Sequence, residues 1–150
     1  MTLMDTPTLD WSAPFAELTE GLRFATGWRL VAEGDVQAFA VLTGDHHPQH
    51  VDPAWAAQSP FGEQIAHGLL ILSVAAGLVP FDPDRVLALR RVSDAVFKRP
   101  VRFGDEVRVT GAVVRLRDLR DGTGTVTCRW NVEGRDGKTI IRAEVEVVWR

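Results

Sequence analysis

Ile65-Ala66-His67-Gly68-Leu69-Leu70-Ile71-Leu72-Ser73-Val74-Ala75-Ala76-Gly77-Leu78-Val79-Pro80 decides the fold. Before Pro80 it holds no Asp, Glu, Lys or Arg, so as a helix it is apolar nearly all round, and such a helix has to be buried. Pro80 ends it, and Phe81-Asp82-Pro83-Asp84 forms a turn cluster. Downstream the hydrophobic period changes. Val107, Val109, Gly111 and Val113 alternate with Arg108, Thr110 and Ala112, and Val126, Cys128, Trp130 and Val132 alternate with Thr127, Arg129 and Asn131. These spacings predict half-buried strands, with turns at Asp121-Gly122 and Asp136-Gly137 and a last strand facing Ala143, Val145, Val147 and Trp149 inward. One buried helix before several antiparallel strands predicts an α+β domain in which a curved antiparallel β-sheet wraps a long central helix. Such a sheet leaves an edge or end to be covered, which a second copy of the chain would do.

Upstream, Phe24 to Val31 reads as a strand, and Asp35 as the cap of a short helix ending near Thr43 at Gly44. Asp52-Pro53 opens another helix over Ala54 to Gln58. There is no repeat, low-complexity tract or long linker. Residues 1–20 read as a peripheral N-terminal segment and 21–150 as one domain. The 150 residues, 45% hydrophobic and 25% charged, suffice for a core without disulfides or a structural metal.

Composition excludes several classes. No run approaches 18 apolar residues, and Met1 to Leu18 carries Asp5, Asp10 and Glu17 where a secretory signal needs a basic start and an apolar run. The expectation is a cytoplasmic chain with no membrane partner. Cys128 is the one cysteine, so no bridge, zinc or redox motif is available within the chain. A net charge of −3 argues against nucleic acid as a partner. Arg85, Arg90, Arg91, Lys98, Arg99 and Arg102 nevertheless cluster, leaving a local anion partner open beside the simpler reading of a solvated strand face.

All 4 histidines, His46, His47, His50 and His67, fall in one short span, within Gly44-Asp45-His46-His47-Pro48-Gln49-His50-Val51-Asp52-Pro53 and Phe61-Gly62-Glu63-Gln64-Ile65-Ala66-His67-Gly68. Asp52 reads as a plain helix cap, His46 as exposed, and His67 alone as a satisfied histidine at a helix start. Asp45 and His50 are harder to dismiss, because a turn forced by Pro48 brings a carboxylate toward an imidazole, as proton transfer requires. A metal held by His46, His47, His50 and an aspartate is disfavoured: adjacent histidines diverge and no cysteine joins them. The nucleophile-elbow, dinucleotide and phosphate-loop glycine patterns are missing.

Gly44-Asp45-x-x-Pro48-x-His50-x-Asp52-Pro53-x-x-Ala56, then Phe61-Gly62, Ile65-x-His67-Gly68 and Phe97-x-Arg99-Pro100-Val101-x-x-Gly104-Asp105 resemble the MaoC-like family of hotdog-fold hydratases and dehydratases. The similarity runs from about Glu33 to the last strand. It implies the hotdog fold, in agreement with the α+β reading above. It further implies that Asp45 and His50 are the catalytic pair, that the Gly68 N–H faces the thioester oxygen as an oxyanion hole, and that Ser73, His67 and His47 support the site. His47 is a departure, since the family has asparagine there; an imidazole lacks the paired donor and acceptor of an amide.

The resemblance implies a hydro-lyase acting on 2-enoyl or (R)-3-hydroxyacyl thioesters of coenzyme A or an acyl carrier protein. No separate cofactor or metal is expected, since coenzyme A or phosphopantetheine is part of the substrate. A homodimer is expected. Arg90, Arg91, Lys98 and Arg99 are candidate contacts to carrier phosphate, and Leu69 to Leu72 include candidate tunnel residues. The alternatives are a hotdog thioesterase and a non-catalytic acyl-binding or heterodimer subunit. The Asp45, His50 and His67-Gly68 spacing favours the hydratase over the first, and the retained Asp45 and His50 count against the second.

Overall fold

The computed structural model describes residues 7–150. Two short strands, β1 (Arg23–Ala25) and β2 (Arg29–Leu30), precede α1 (Glu33–Thr43), α2 (Pro48–Val51), α3 (Pro53–Ala57) and α4 (Gly68–Leu78). Four long strands complete the chain: β3 (Val86–Phe97), β4 (Glu106–Asp118), β5 (Gly124–Gly134) and β6 (Thr139–Trp149). The sheet is antiparallel in the order β1-β4-β5-β6-β3, with β2 also on β4. Its inner face and α4 share one core, in which Leu70, Ile71 and Ala75 of the helix meet the sheet valines and Trp130. This is the α+β hotdog arrangement. No helix among the described residues is long and apolar enough to cross a membrane.

The strand alternation holds where it was expected. Val107, Val109 and Val113, then Cys128, Trp130 and Val132, then Ala143, Val145, Val147 and Trp149 are all buried. Gly122 and Gly137 take φ +84° and +74° in the turns, a region that glycine enters without steric cost. Around Thr125 and Thr127, however, β5 is buried on both faces. It lies between β4 and β6, so both its edges are paired.

Four expectations are corrected. The strand over Phe24 to Val31 is two short pieces, because Thr26 leaves the register to exchange hydrogen bonds with Val109. The helix after it begins at Glu33 and not at a cap on Asp35. Asp35 sits one turn in, accepting the Ala32 N–H at 2.9 Å and pairing with Arg29, which together hold its carboxyl below the usual carboxylate range. Helix α4 starts at Gly68 because Ala66 is bound to Val101 and Ile65 bridges Arg102, so the chain is extended up to His67. Finally, the segment expected to be peripheral is core from Leu9 to Leu18: both leucines are buried, Trp11 stacks on Trp149, and the Trp149 indole donates to Ala13. Residues 1–6 of that segment lie outside the described residues.

Candidate active site

Gly44 ends α1 at φ +79°, delivering the chain directly into Asp45. An Asp45 carboxylate oxygen accepts the His47 N–H at 3.2 Å, and His47 Nδ1 in turn accepts the Gln49 N–H at 3.1 Å. His47 is therefore the N-cap of α2, with Pro48 at the first helical position. The cap is met by one acceptor nitrogen of the imidazole. This single helical turn carries His50 onto the wall of a cleft.

Hydrogen-bond partners assign both central tautomers. His50 Nδ1 lies 2.7 Å from the Ile65 carbonyl oxygen, which only accepts, so Nδ1 bears the hydrogen and Nε2 the free lone pair. His67 Nε2 lies 2.9 Å from the Asp45 carbonyl oxygen and donates to it by the same logic. His67 Nδ1 is left buried without a partner among the described residues. The His50 and His67 rings stack at 3.9 Å and 28°, and Phe39 packs against His67. Burial is the main cause that holds His50 below the ordinary value of 6.5; a charge on His67 acts the same way, while the Ile65 carbonyl and the Asp45 charge oppose it.

Two glutamines complete the frame, and neither was singled out in the sequence. Gln64 Nε2 donates to the His50 carbonyl at 2.9 Å, and the buried Gln49 side chain donates to Glu63 at 2.9 Å. They tie α2 to the loop before α4, and Ala66 ties that loop to Val101 at 2.8 Å. The available signal was position: each amide stands next to one half of the histidine motif.

The cleft encloses about 350 Å³ between His50, Gly68, Ile71, Phe97 and Lys98. Gly68 is the first residue of α4, so no carbonyl of the helix can reach its N–H, and the positive end of the helix dipole lies there. A Cβ at this position would stand 2.7 Å from the Phe97 ring, so only glycine lets the aromatic wall close over the amide.

The structure brings Asp45, His50, His67, Gly68, Lys98 and Arg99 to this region and separates the other candidates. Ser73 lies on the exposed side of α4, donating to Leu69 at 2.8 Å, and does not line the cleft. Arg90 and Arg91 lie on β3 against Glu146, at 3.2 and 3.4 Å, also away from the cleft. Of the expected tunnel leucines and isoleucine, Ile71 alone lines it. Cys128 sits in the core with its thiol pushed up to about 12 by burial, so it is no nucleophile.

Asp45, His50 and His67 offer ligand atoms within 4.8 Å of one another. Two of the four ring nitrogens are committed to backbone carbonyls, and the two remaining lone pairs lie in stacked planes. Lone pairs in stacked planes do not converge on one ion. The same set suits proton handling: a neutral imidazole with a carboxylate beside it, and an N–H donor on the cleft that the imidazole lines.

Residues 16–134 match the model of the MaoC like domain. A 3-hydroxyacyl-thioester dehydratase Z from Mycobacterium tuberculosis (strain CDC 1551 / Oshkosh) is 37% identical over 117 residues, 71% of this chain and 75% of that one. An (R)-specific enoyl-CoA hydratase from Aeromonas caviae is 36% identical over 100 residues, 67% of this chain and 74% of that one. Among solved structures, a monoamine oxidase regulatory protein from Archaeoglobus superposes with a TM-score of 0.87 at 32% identity, over 92% of this chain and 94% of that chain.

Proposed function

The chain belongs to the MaoC-like family, and from that premise we propose that it hydrates 2-enoyl thioesters, or dehydrates (R)-3-hydroxyacyl thioesters, with Asp45 and His50 as the acid–base pair. The observation that carries this reading is the fixed tautomer of His50: its Nδ1–H is held by Ile65, leaving Nε2 as a lone pair on the cleft that also holds Gly68. The names of the two sequence relatives support the reaction and its stereochemistry.

Asp45 and His50 hold a water against the β-carbon. As its oxygen bonds there, one proton leaves the water for the pair and one passes from the pair to the α-carbon, so the site ends as it began. Between these events charge develops on the thioester oxygen, where the Gly68 N–H and the start of α4 stabilise it without reorganising. The thioester carries its own coenzyme A or phosphopantetheine, and no further cofactor enters the scheme.

The working unit is a cytoplasmic homodimer. Strand β3 is an end strand of the sheet and exposes Leu87, Leu89 and Val92, while Leu69 is exposed on α4. A second copy paired along β3 would cover this edge, and an uncovered apolar edge of this length invites association.

The test is loss of enoyl-thioester absorbance with crotonyl-CoA and a medium-chain enoyl-CoA. The parent protein consumes the substrate. Asp45→Asn and His50→Ala, folded by circular dichroism, each lose about 10²–10⁴-fold. Near-parental activity in both variants overturns the assignment, and release of free thiol makes the protein a thioesterase instead.

A further inference from the structure

Nδ1 of His47 accepts the Gln49 N–H at 3.1 Å, and that bond caps α2. The hydroxyls and amides that commonly cap helices accept at any pH, but an imidazole accepts only while it is neutral. Once protonated, both ring nitrogens carry hydrogen. A proton on His47 therefore sets Nδ1–H against the Gln49 N–H, two donors with no acceptor between them. His50, the residue after Gln49, stands in the same single turn of helix.

The charged ring has somewhere to go. The His47 backbone N–H already donates to the Asp45 carboxylate at 3.2 Å, and the Trp55 ring stands 5.4 Å from the imidazole at 89°. A carboxylate and an aromatic ring each stabilise a cation. His47 is exposed, so protons reach it from solvent, whereas His50 is half-buried. Among the described residues, the other titratable groups on the surrounding elements are His46, His50 at 6.0 Å ring to ring, His67 stacked behind His50, Asp52 at the head of α3 and Glu63 on the loop before α4. Asp52 is engaged by the Ala54 and Trp55 N–H groups at 3.0 and 3.1 Å, and Glu63 is paired with Arg102. Asp45 is thus the carboxylate that draws a charged His47 off the cap.

We infer that His47 is a positioning residue under proton control: neutral, it caps α2 and holds His50 on the cleft wall, and protonated, it leaves the cap for the Asp45 carboxylate. One proton then disturbs both members of the acid–base pair. The effect on turnover rests on the hydratase reading above, and the effect on α2 does not. The cap contributes stability where the ring is neutral and loses it as pH falls. A positive charge on His47 also opposes one on His50, so the two rings do not charge independently.

The experiment measures Tm at about pH 8.5 and about pH 5.5, on either side of the range in which imidazoles ordinarily titrate. It compares the parent with His47→Asn, which keeps a capping acceptor at both pH values, and His47→Ala, which has none at either. At the higher pH the parent matches His47→Asn. At the lower pH it falls to the level of His47→Ala, about 2–4 °C below, and hydrogen exchange shows the Gln49 amide losing protection in the parent and keeping it in His47→Asn. His46→Asn, at the exposed neighbouring histidine, tracks the parent at both pH values. A gap between parent and His47→Asn that is the same at both, or equal Tm in all three proteins, overturns the inference. With crotonyl-CoA, the acid limb of log kcat/KM is steeper than a one-proton slope in the parent and has that slope in His47→Asn. Equal limbs overturn the hold of His47 on His50 and leave the hydratase intact. A pH-dependent Tm gap in a protein that consumes no enoyl thioester supports the proton-controlled cap and removes the hydratase.

Discussion

At His50 the chemistry depends on which nitrogen holds the hydrogen. Ile65 settles it at 2.7 Å, and burial keeps the ring neutral to lower pH than in a free peptide. The sign follows for both activity and stability. The folded state binds its proton later than the unfolded chain does, so stability linked to this group is complete above pH 6.5 and is lost as pH falls through the lowered folded value. Hydration that uses the neutral ring falls on the acid side with a midpoint below pH 6.5. A pH profile of kcat/KM for crotonyl-CoA checks this, and an acid limb centred above 6.5 contradicts a neutral, desolvated base. Asp45 and His50 were legible in the sequence because Pro48 between them forces a turn. The tautomers were not, since each is set by a carbonyl 15 or 22 positions away. Gln49 and Gln64 escaped for a related reason, because an amide shows its importance only when its partner backbone is placed.

Among the elements, α2 shows how a departure from a family pattern is absorbed. Its N-cap is an imidazole, and one acceptor atom meets the need of the Gln49 N–H. His47→Ala removes that acceptor and costs about 1 kcal/mol, read as a fall in Tm of about 2–4 °C for a chain of this size. His47→Asn restores both Tm and turnover, and an unchanged Tm in the alanine variant would show that the cap contributes nothing. Elements with a regular period were readable: α4 from its apolar content, β4 to β6 from alternation. The Arg85 to Arg102 stretch was read only as a solvated strand face, and the bounds of β3 were not placed. Its pairing with β6 shifts register three times, and Asp94 takes φ +50° within it, so the alternation that marks a strand is interrupted. Helix α1 was misplaced at its start because Asp35 resembles a cap and instead reaches back to Ala32 from inside the first turn.

Over the whole molecule, the sheet wrapped on α4 was foreseeable from the order of periods, whereas the role of the N-terminal segment was not. Leu9, Trp11 and Leu18 are widely spaced and carry no periodic pattern, yet the core needs them to close over Trp149 and Phe24. The exposed edge predicts assembly. The protein elutes with about twice the mass of one 16.6 kDa chain, and Leu89→Lys on β3, where the leucine is 63% exposed, yields a monomer. Sedimentation of the two proteins decides it, and a parent protein that stays monomeric at micromolar concentration overturns the dimer. The contacts that join Asp45 to His67, His50 to Gln64 and Gln49 to Glu63 tie the Asp45–His50 turn to the loop before α4, and Ala66 ties that loop in turn to Val101. A frame tied at four points is costly to open, so the expectation is a preformed site whose substrate uptake follows encounter and release rather than a rearrangement of these loops.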